Sequence, residues 1–154
     1  MLAHREHEWR RLIGVVVSGH GVASGRSPSP FEGGSLRYQI PLFRTLGLDL
    51  TRFYPGTINV SVAPGRLKLI NPPYTFRAVK WHDAHPPEDF SFAHCRIRIN
   101  GDTKRGFIYL PHPETKARDF QDPSTVEIMT DFVEHVWPGL AIKLEVDESE
   151  VRID

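Results

Sequence analysis

Phe92-Ala93-His94-Cys95-Arg96-Ile97-Arg98-Ile99-Asn100-Gly101-Asp102 is the stretch on which the fold turns. Cys95, Ile97 and Ile99 fall on one side of an extended chain, and His94, Arg96 and Arg98 on the other. That two-residue period predicts a half-buried strand, Phe92 to Asn100. Asn100-Gly101-Asp102 supplies a hairpin turn, and a second strand-like run, Gly106 to Leu110, follows it. Upstream, Thr75 to Trp81 and Leu67 to Ile70 read as further strands. Ile58-Asn59-Val60-Ser61-Val62 alternates cleanly and is closed by the turn Ala63-Pro64-Gly65-Arg66. Leu12 to Val17 is β-branched and reads as a buried strand, and Ile142 to Val146 as another. Leu36 to Leu48 predicts a short helix beginning at Pro41, with proline in its first turn and Gly47 near its end.

The segment after Asp122-Pro123 supports two readings. Val126, Met129, Phe132 or Val133, and Val136 recur at helical spacing behind an Asp122 cap. Val126 and Ile128 also alternate with Thr125 and Glu127, as a strand leading into a short helix would. Six or more short strands, one or two helices and no alternation of strand with helix predict a small, mainly antiparallel β-barrel. Residues 1–11 read as an N-terminal extension and 12–154 as a single domain.

Composition bounds what such a barrel can do. The 154 residues suffice for one core without staples, and 19 basic residues balance 19 acidic ones. Zero net charge argues against a general nucleic-acid or membrane-surface binder, since both need excess positive charge. One cysteine, Cys95, excludes an internal disulfide and points to a reducing compartment. The longest apolar run near the N-terminus, Val15-Val16-Val17, is far short of the ~20 residues of a membrane span. A soluble, cytoplasmic protein with small-molecule partners is the expectation, with no nucleic acid and no membrane.

Several familiar signatures fail on context. Gly19-His20-Gly21-Val22-Ala23-Ser24-Gly25 has one residue too many for a dinucleotide fingerprint and precedes a Pro-rich stretch, not a helix. Gly101 to Gly106 has Walker spacing but continues Phe107-Ile108 without the lysine and hydroxyl. His82 and His85 are spaced like zinc ligands, within a group that His94, Cys95 and His112 extend. The prolines and acidic residues around them are also what an exposed loop contains. The glycines at 19, 21 and 25 permit a concavity of inward-turned N–H groups that binds anions, to which Arg26 could add a charge-assisted bond. Equally, such a stretch serves as mobile surface. Phe53-Tyr54-Pro55-Gly56-Thr57-Ile58-Asn59-Val60 places Thr57 and Asn59 two apart on one side of a strand. A hydroxyl and an amide oxygen together suit a hard cation such as Mg²⁺ if substrate phosphates complete its shell. Both side chains could instead satisfy backbone groups at a strand start.

These pieces, taken in order, resemble the archaeal-type CTP-dependent riboflavin kinases, small cradle-loop barrels related to the flavokinase (RIFT) barrel. Val16-Val17-Ser18-Gly19-His20-Gly21 with Gly25-Arg26 is similar to that family's nucleotide loop. Leu46-Gly47 followed by Tyr54-Pro55-Gly56-Thr57-Ile58-Asn59-Val60 is similar to its LG…Y-x-G-T-L-N-L segment. Glu88 to Phe92, and Thr125-Val126-Glu127-Ile128 with a helix and the strand Ala141 to Val146, resemble the middle and the end of the barrel. The resemblance implies a six-stranded RIFT-like barrel that moves the γ-phosphate of CTP to riboflavin, giving FMN. It implies nucleotide contacts at Gly19, His20, Gly21, Gly25, Arg26, Phe132 and His135, and Mg²⁺ on Thr57 and Asn59. Flavin contacts would fall on Thr115 and Glu127, with Glu127 orienting the acceptor hydroxyl or taking its proton. A non-catalytic nucleotide- or flavin-binding barrel, or a relative with another acceptor, shares these motifs.

Overall fold

A computed structural model describes residues 6–18, 35–115 and 122–154. Among them are nine β-strands and one α-helix: β1 (Trp9–Val16), α1 (Leu36–Thr45), β2 (Ile58–Ser61), β3 (Leu67–Leu69), β4 (Tyr74–Val79), β5 (Glu88–Ile99), β6 (Asp102–Pro111), β7 (Thr125–Met129), β8 (Ala141–Asp147) and β9 (Val151–Ile153). The fold is mainly β, as expected. β5, β6, β7, β2, β1 and β8 follow one another edge to edge, and β8 pairs back onto β5, closing a ring of antiparallel strands. β4 extends the sheet from β5, and β3 pairs with β9 apart from it.

The deciding hairpin forms as read. Ile99 pairs with Asp102 across the loop Asn100-Gly101. Both loop residues have positive φ, +50° and +81°, which is the conformation a tight two-residue hairpin demands. β5 extends back to Glu88, so the strand is longer at its N-terminal end than its alternation suggests. β1 begins at Trp9, paired with Asp147, and so takes up the last residues of the expected extension.

Alternation sorts the strands' side chains between two cores. Val60, Cys95, Ile97, Ile108, Val126, Ile128, Ile142 and Leu144 point into the ring and fill it. The ring is therefore packed through its centre. Close strand approach inside it leaves no room at two glycines. A Cβ on Gly106 would meet the Met129 carbonyl oxygen at 2.1 Å, and one on Gly14 would meet Val60 Cγ1 at 2.3 Å.

Phe90, Phe92, Tyr109 and Met129 point outward and form the second core with Leu36, Ile40 and Phe43 of α1. The helix begins at Leu36, more than a turn before the expected start at Pro41. Leu36, Gln39, Ile40 and Phe43 are buried at helical spacing, and this apolar stripe outweighs the single backbone bond that an internal proline removes. The far end is as read. Leu48 N–H bonds Phe43 O and Gly47 N–H bonds Arg44 O, with Gly47 at φ +111°, a glycine-dependent C-terminal cap.

After Asp122-Pro123 the chain forms the strand β7, and the helix expected to follow it is absent: residues 130–140 run without regular structure. Their backbone groups are instead tied to neighbours. Tyr54 N–H bonds Thr130 O, Gly139 N–H bonds Val16 O, and Thr130 Oγ1 donates to Arg105 O. The Asn100 side-chain amide donates to both Glu134 O and His135 O, at 3.1 Å each. With its polar groups held this way, the segment has an alternative to helical hydrogen bonding. No helix among the described residues is long and apolar enough to cross a membrane.

Candidate functional site

β2, β7 and β6 lie side by side, and their register sets Asn59 against Glu127 and Glu127 against Tyr109. Directly paired residues share a face, so an amide, a carboxylate and a phenol form one outward-facing row. Thr57, two residues before Asn59, joins it: its hydroxyl donates to Glu127 Oε1 at 3.2 Å. Glu127 and Thr57 are half-buried, while Tyr109 is only 4% exposed and donates to Gln39 Oε1 of α1 at 2.7 Å. Burial, reinforced by the negative charges of Glu127 and Glu88, holds the Tyr109 phenol well above its ordinary pKa, so it stays a hydrogen-bond donor.

Two cavities meet at this row. The first, about 500 Å³, is walled by the end of β1 (Val16 to Ser18), by Thr57 and Asn59, and by the irregular segment that includes Phe132, His135 and Trp137. The second, about 600 Å³, is lined by Leu67, Leu69, Ile108, Leu110, Val126 and Glu127, with His112 and Glu114 at one side. Both volumes lie in the ordinary range for small-molecule sites. β7 is the partition, with Ile128 lining the first cavity and Glu127 the second. The Thr57–Glu127 hydrogen bond therefore joins a residue of one cavity to a residue of the other.

Of the residues singled out from sequence, Thr57, Asn59, Phe132 and His135 share the first cavity. Phe132 is 61% exposed and its ring lies 5.2 Å from that of Tyr54, an aromatic rim at the mouth. His135 holds a positive φ of +59°. Gly19, His20, Gly21, Gly25 and Arg26 lie outside the described residues, although Ser18, immediately before them, is in the cavity wall. Thr115 stands apart. Its hydroxyl accepts from Asp89 N–H at 2.9 Å and donates to His112 O at 3.2 Å, while its neighbours Pro113 and Glu114 line the second cavity.

The donors present fit a hard cation. Thr57 gives its hydrogen to Glu127 and keeps oxygen lone pairs for a metal, and Asn59, an amide, lines the same cavity from the same face of β2. Tyr54, Trp137 and Asp131 also line this cavity. Of these, only Tyr54 had a sequence signal, through the motif that contains it; the other two need the path of an irregular segment.

His82 and His85 make separate local contacts. His82 Nδ1 accepts from Ala84 N–H at 3.0 Å, and His85 Nδ1 lies 2.7 Å from Pro86 O with its ring 4.6 Å from Trp81. Among the described residues the group of metal-ligating side chains that does converge is His7, His94 and Glu150. No family model matches the chain, and no curated protein is significantly similar to it.

Proposed function

We propose that the protein is a Mg²⁺-dependent phosphotransferase that moves the γ-phosphoryl group of a nucleoside triphosphate, CTP, onto the terminal ribityl hydroxyl of riboflavin, forming FMN. The observation that carries this reading is the Thr57–Glu127 hydrogen bond at the junction of two cavities. Phosphoryl transfer requires a donor and an acceptor aligned across a short gap, with charge neutralised at the phosphates. Two compartments that share one polar row offer that arrangement.

In this reading the first cavity takes the nucleotide. The aromatic pair Tyr54–Phe132 offers a stacking surface for a base, and the chain leaving Ser18 leads to the glycine-rich residues that resemble a phosphate loop. Asp131 and Glu134 also line this cavity. Two carboxylates disfavour a bare triphosphate, so the nucleotide would enter as its metal complex. Thr57 and Asn59 would hold Mg²⁺, which when bound neutralises charge on the phosphate oxygens.

The second cavity, apolar over most of its wall, would take the flavin ring and point its ribityl chain toward Glu127. The acceptor oxygen attacks the γ-phosphorus as the bond to the β-phosphate oxygen breaks. Glu127 accepts the hydroxyl's hydrogen bond and then its proton. Thr57 holds that carboxylate in place through Oε1.

The test is incubation with riboflavin, Mg²⁺ and each of CTP, ATP, GTP and UTP, followed by separation of FMN. FMN from CTP is the expected result. No FMN with any donor, from protein that binds riboflavin, would reassign the chain to a binding barrel.

A further inference from the structure

A second polar centre lies on the outer surface where β1, β5 and the β8–β9 turn come together. His7 precedes β1, His94 is on β5, and Asp147 and Glu150 bracket the turn. One ligand atom from each of His7, His94 and Glu150 falls within 4.8 Å of the others. Glu150 Oε2 is 2.9 Å from His94 Nδ1 and 3.8 Å from His7 Nδ1. Its Oε1 accepts the His94 backbone N–H at 2.8 Å, which fixes the carboxylate's rotation. Asp147 Oδ2 is 2.6 Å from His7 Nδ1, and its Oδ1 is held by the Ser149 N–H and hydroxyl. The two carboxylates are at most 4% exposed, whereas the imidazoles are about a third exposed. The anionic oxygens thus lie deeper than the two rings.

We infer that His7, His94 and Glu150, with Asp147 beside them, form a binding site for a divalent transition cation, Zn²⁺ by its donor set. Two imidazole nitrogens and carboxylate oxygens from separate elements are what zinc takes, while Mg²⁺ prefers oxygen alone. Zn–N and Zn–O bonds near 2.0–2.1 Å place tetrahedral ligand atoms about 3.3 Å apart. The separations here, 2.9 Å and 3.8 Å from Glu150 Oε2 and up to 4.8 Å across the group, must contract by at most about 1.5 Å to reach that. His7, immediately outside a strand and at the surface, can supply it. The fixed hydrogen bonds on Glu150 and Asp147 are the kind of outer contacts that orient metal ligands. None of the four residues lines either cavity, so the site is independent of the proposed transfer chemistry.

The experiment is titration of the full chain with Zn²⁺, and with Co²⁺ as a spectroscopic probe. One equivalent should bind, Co²⁺ should give the intense visible bands of a four-coordinate site, and the imidazole NMR signals of His7 and His94 should move together. His7→Gln and His94→Gln should each weaken Zn²⁺ binding at least about tenfold. His82→Gln with His85→Gln should leave it unchanged. Binding that survives both site variants, or imidazole signals of His7 and His94 that do not respond in the unaltered protein, would overturn the assignment. The NMR arm needs no variant, so it holds even if a substitution impairs folding.

Discussion

Tyr109→Phe removes one oxygen from the contact that ties α1 to the barrel wall behind the Asn59–Glu127 pair. Tyr109 and Gln39 are 4% and 1% exposed, and their hydrogen bond is 2.7 Å long. A neutral bond of this kind contributes about 1 kcal/mol net, but an amide oxygen left buried without its donor costs about 1–3 kcal/mol. The variant should therefore lose about 1–3 kcal/mol. Gln39→Leu, which orphans the phenol, should lose a similar amount. With both changes the orphaned groups disappear together, so the double variant should be less destabilised than the sum of the singles by about 1–2 kcal/mol. Urea unfolding with an unchanged m-value measures all three. Additive losses, or a neutral Tyr109→Phe, would refute the account of this contact.

The same residue sets an alkaline limit. Burial and the Glu127 charge raise the Tyr109 pKa in the folded chain above its unfolded value near 10. The folded state then keeps a proton that the unfolded chain releases. Its contribution is complete below about pH 10 and is lost as pH rises from there toward the folded pKa, by up to ~1.4 kcal/mol per pH unit. Tyr109→Phe should flatten that part of the stability profile.

Three further outcomes follow from the geometry. Thr57→Val should reduce Mg²⁺-dependent FMN formation about 10–100-fold while Thr57→Ser retains most of it, and Thr57→Ala with Asn59→Ala should abolish it with the far-UV circular dichroism unchanged. Asn100→Asp keeps a residue that tolerates the turn's positive φ but replaces the donor that holds Glu134 O and His135 O. Nucleotide binding, followed by the fluorescence of Trp137 in the cavity wall, should weaken severalfold, with about 1 kcal/mol or less of stability lost. Gly106→Ala sets a Cβ against a backbone oxygen and should cost about 3 kcal/mol. Gly14→Ala meets a side chain that can shift and should cost less, and chemical denaturation ranks the two.

What could be read in the sequence was what is encoded locally. The β5–β6 hairpin is legible because alternation, turn chemistry and register all lie within neighbouring residues. The C-terminal cap of α1 at Gly47 is legible for the same reason. The helix start at Leu36 is not legible locally, because Ser35 makes no side-chain cap and Pro41 carries a start signal inside a helix that is held by the buried stripe Leu36, Gln39, Ile40 and Phe43. Residues 130–140 carry helical spacing at Val133 and Val136 yet form no helix, because Asn100, Val16 and Tyr54, all distant in sequence, take hold of their backbone. β9 is three residues long and exists through its pairing with β3. Thr57 and Asn59 could be found because two positions of one strand share a face. The pairing of Glu127 with Asn59 and the convergence of His7, His94 and Glu150 are properties of the closed ring, and no local pattern announces them.

A half-buried carboxylate on a sheet face is costly unless it is paired or hydrogen-bonded, and the Thr57 hydroxyl supplies one such bond to Glu127. Its strand neighbours Val126, Ile128 and Met129 are buried and apolar, which sharpens the question of why position 127 is glutamate. Glu127→Gln answers it, because glutamine retains an oxygen to accept the Thr57 hydroxyl and differs chiefly in charge and proton affinity. If the carboxylate serves structure, its loss should weaken the fold. If it serves the acceptor hydroxyl, the fold should be unchanged or up to about 1 kcal/mol more stable, and transfer should fall about 10²–10⁴-fold. Orientation and proton acceptance then separate by pH: a base gives a rate that declines below its pKa and a variant that has lost this limb. A destabilised Glu127→Gln with unaltered turnover would remove Glu127 from the chemistry and leave the junction of the two cavities a packing detail.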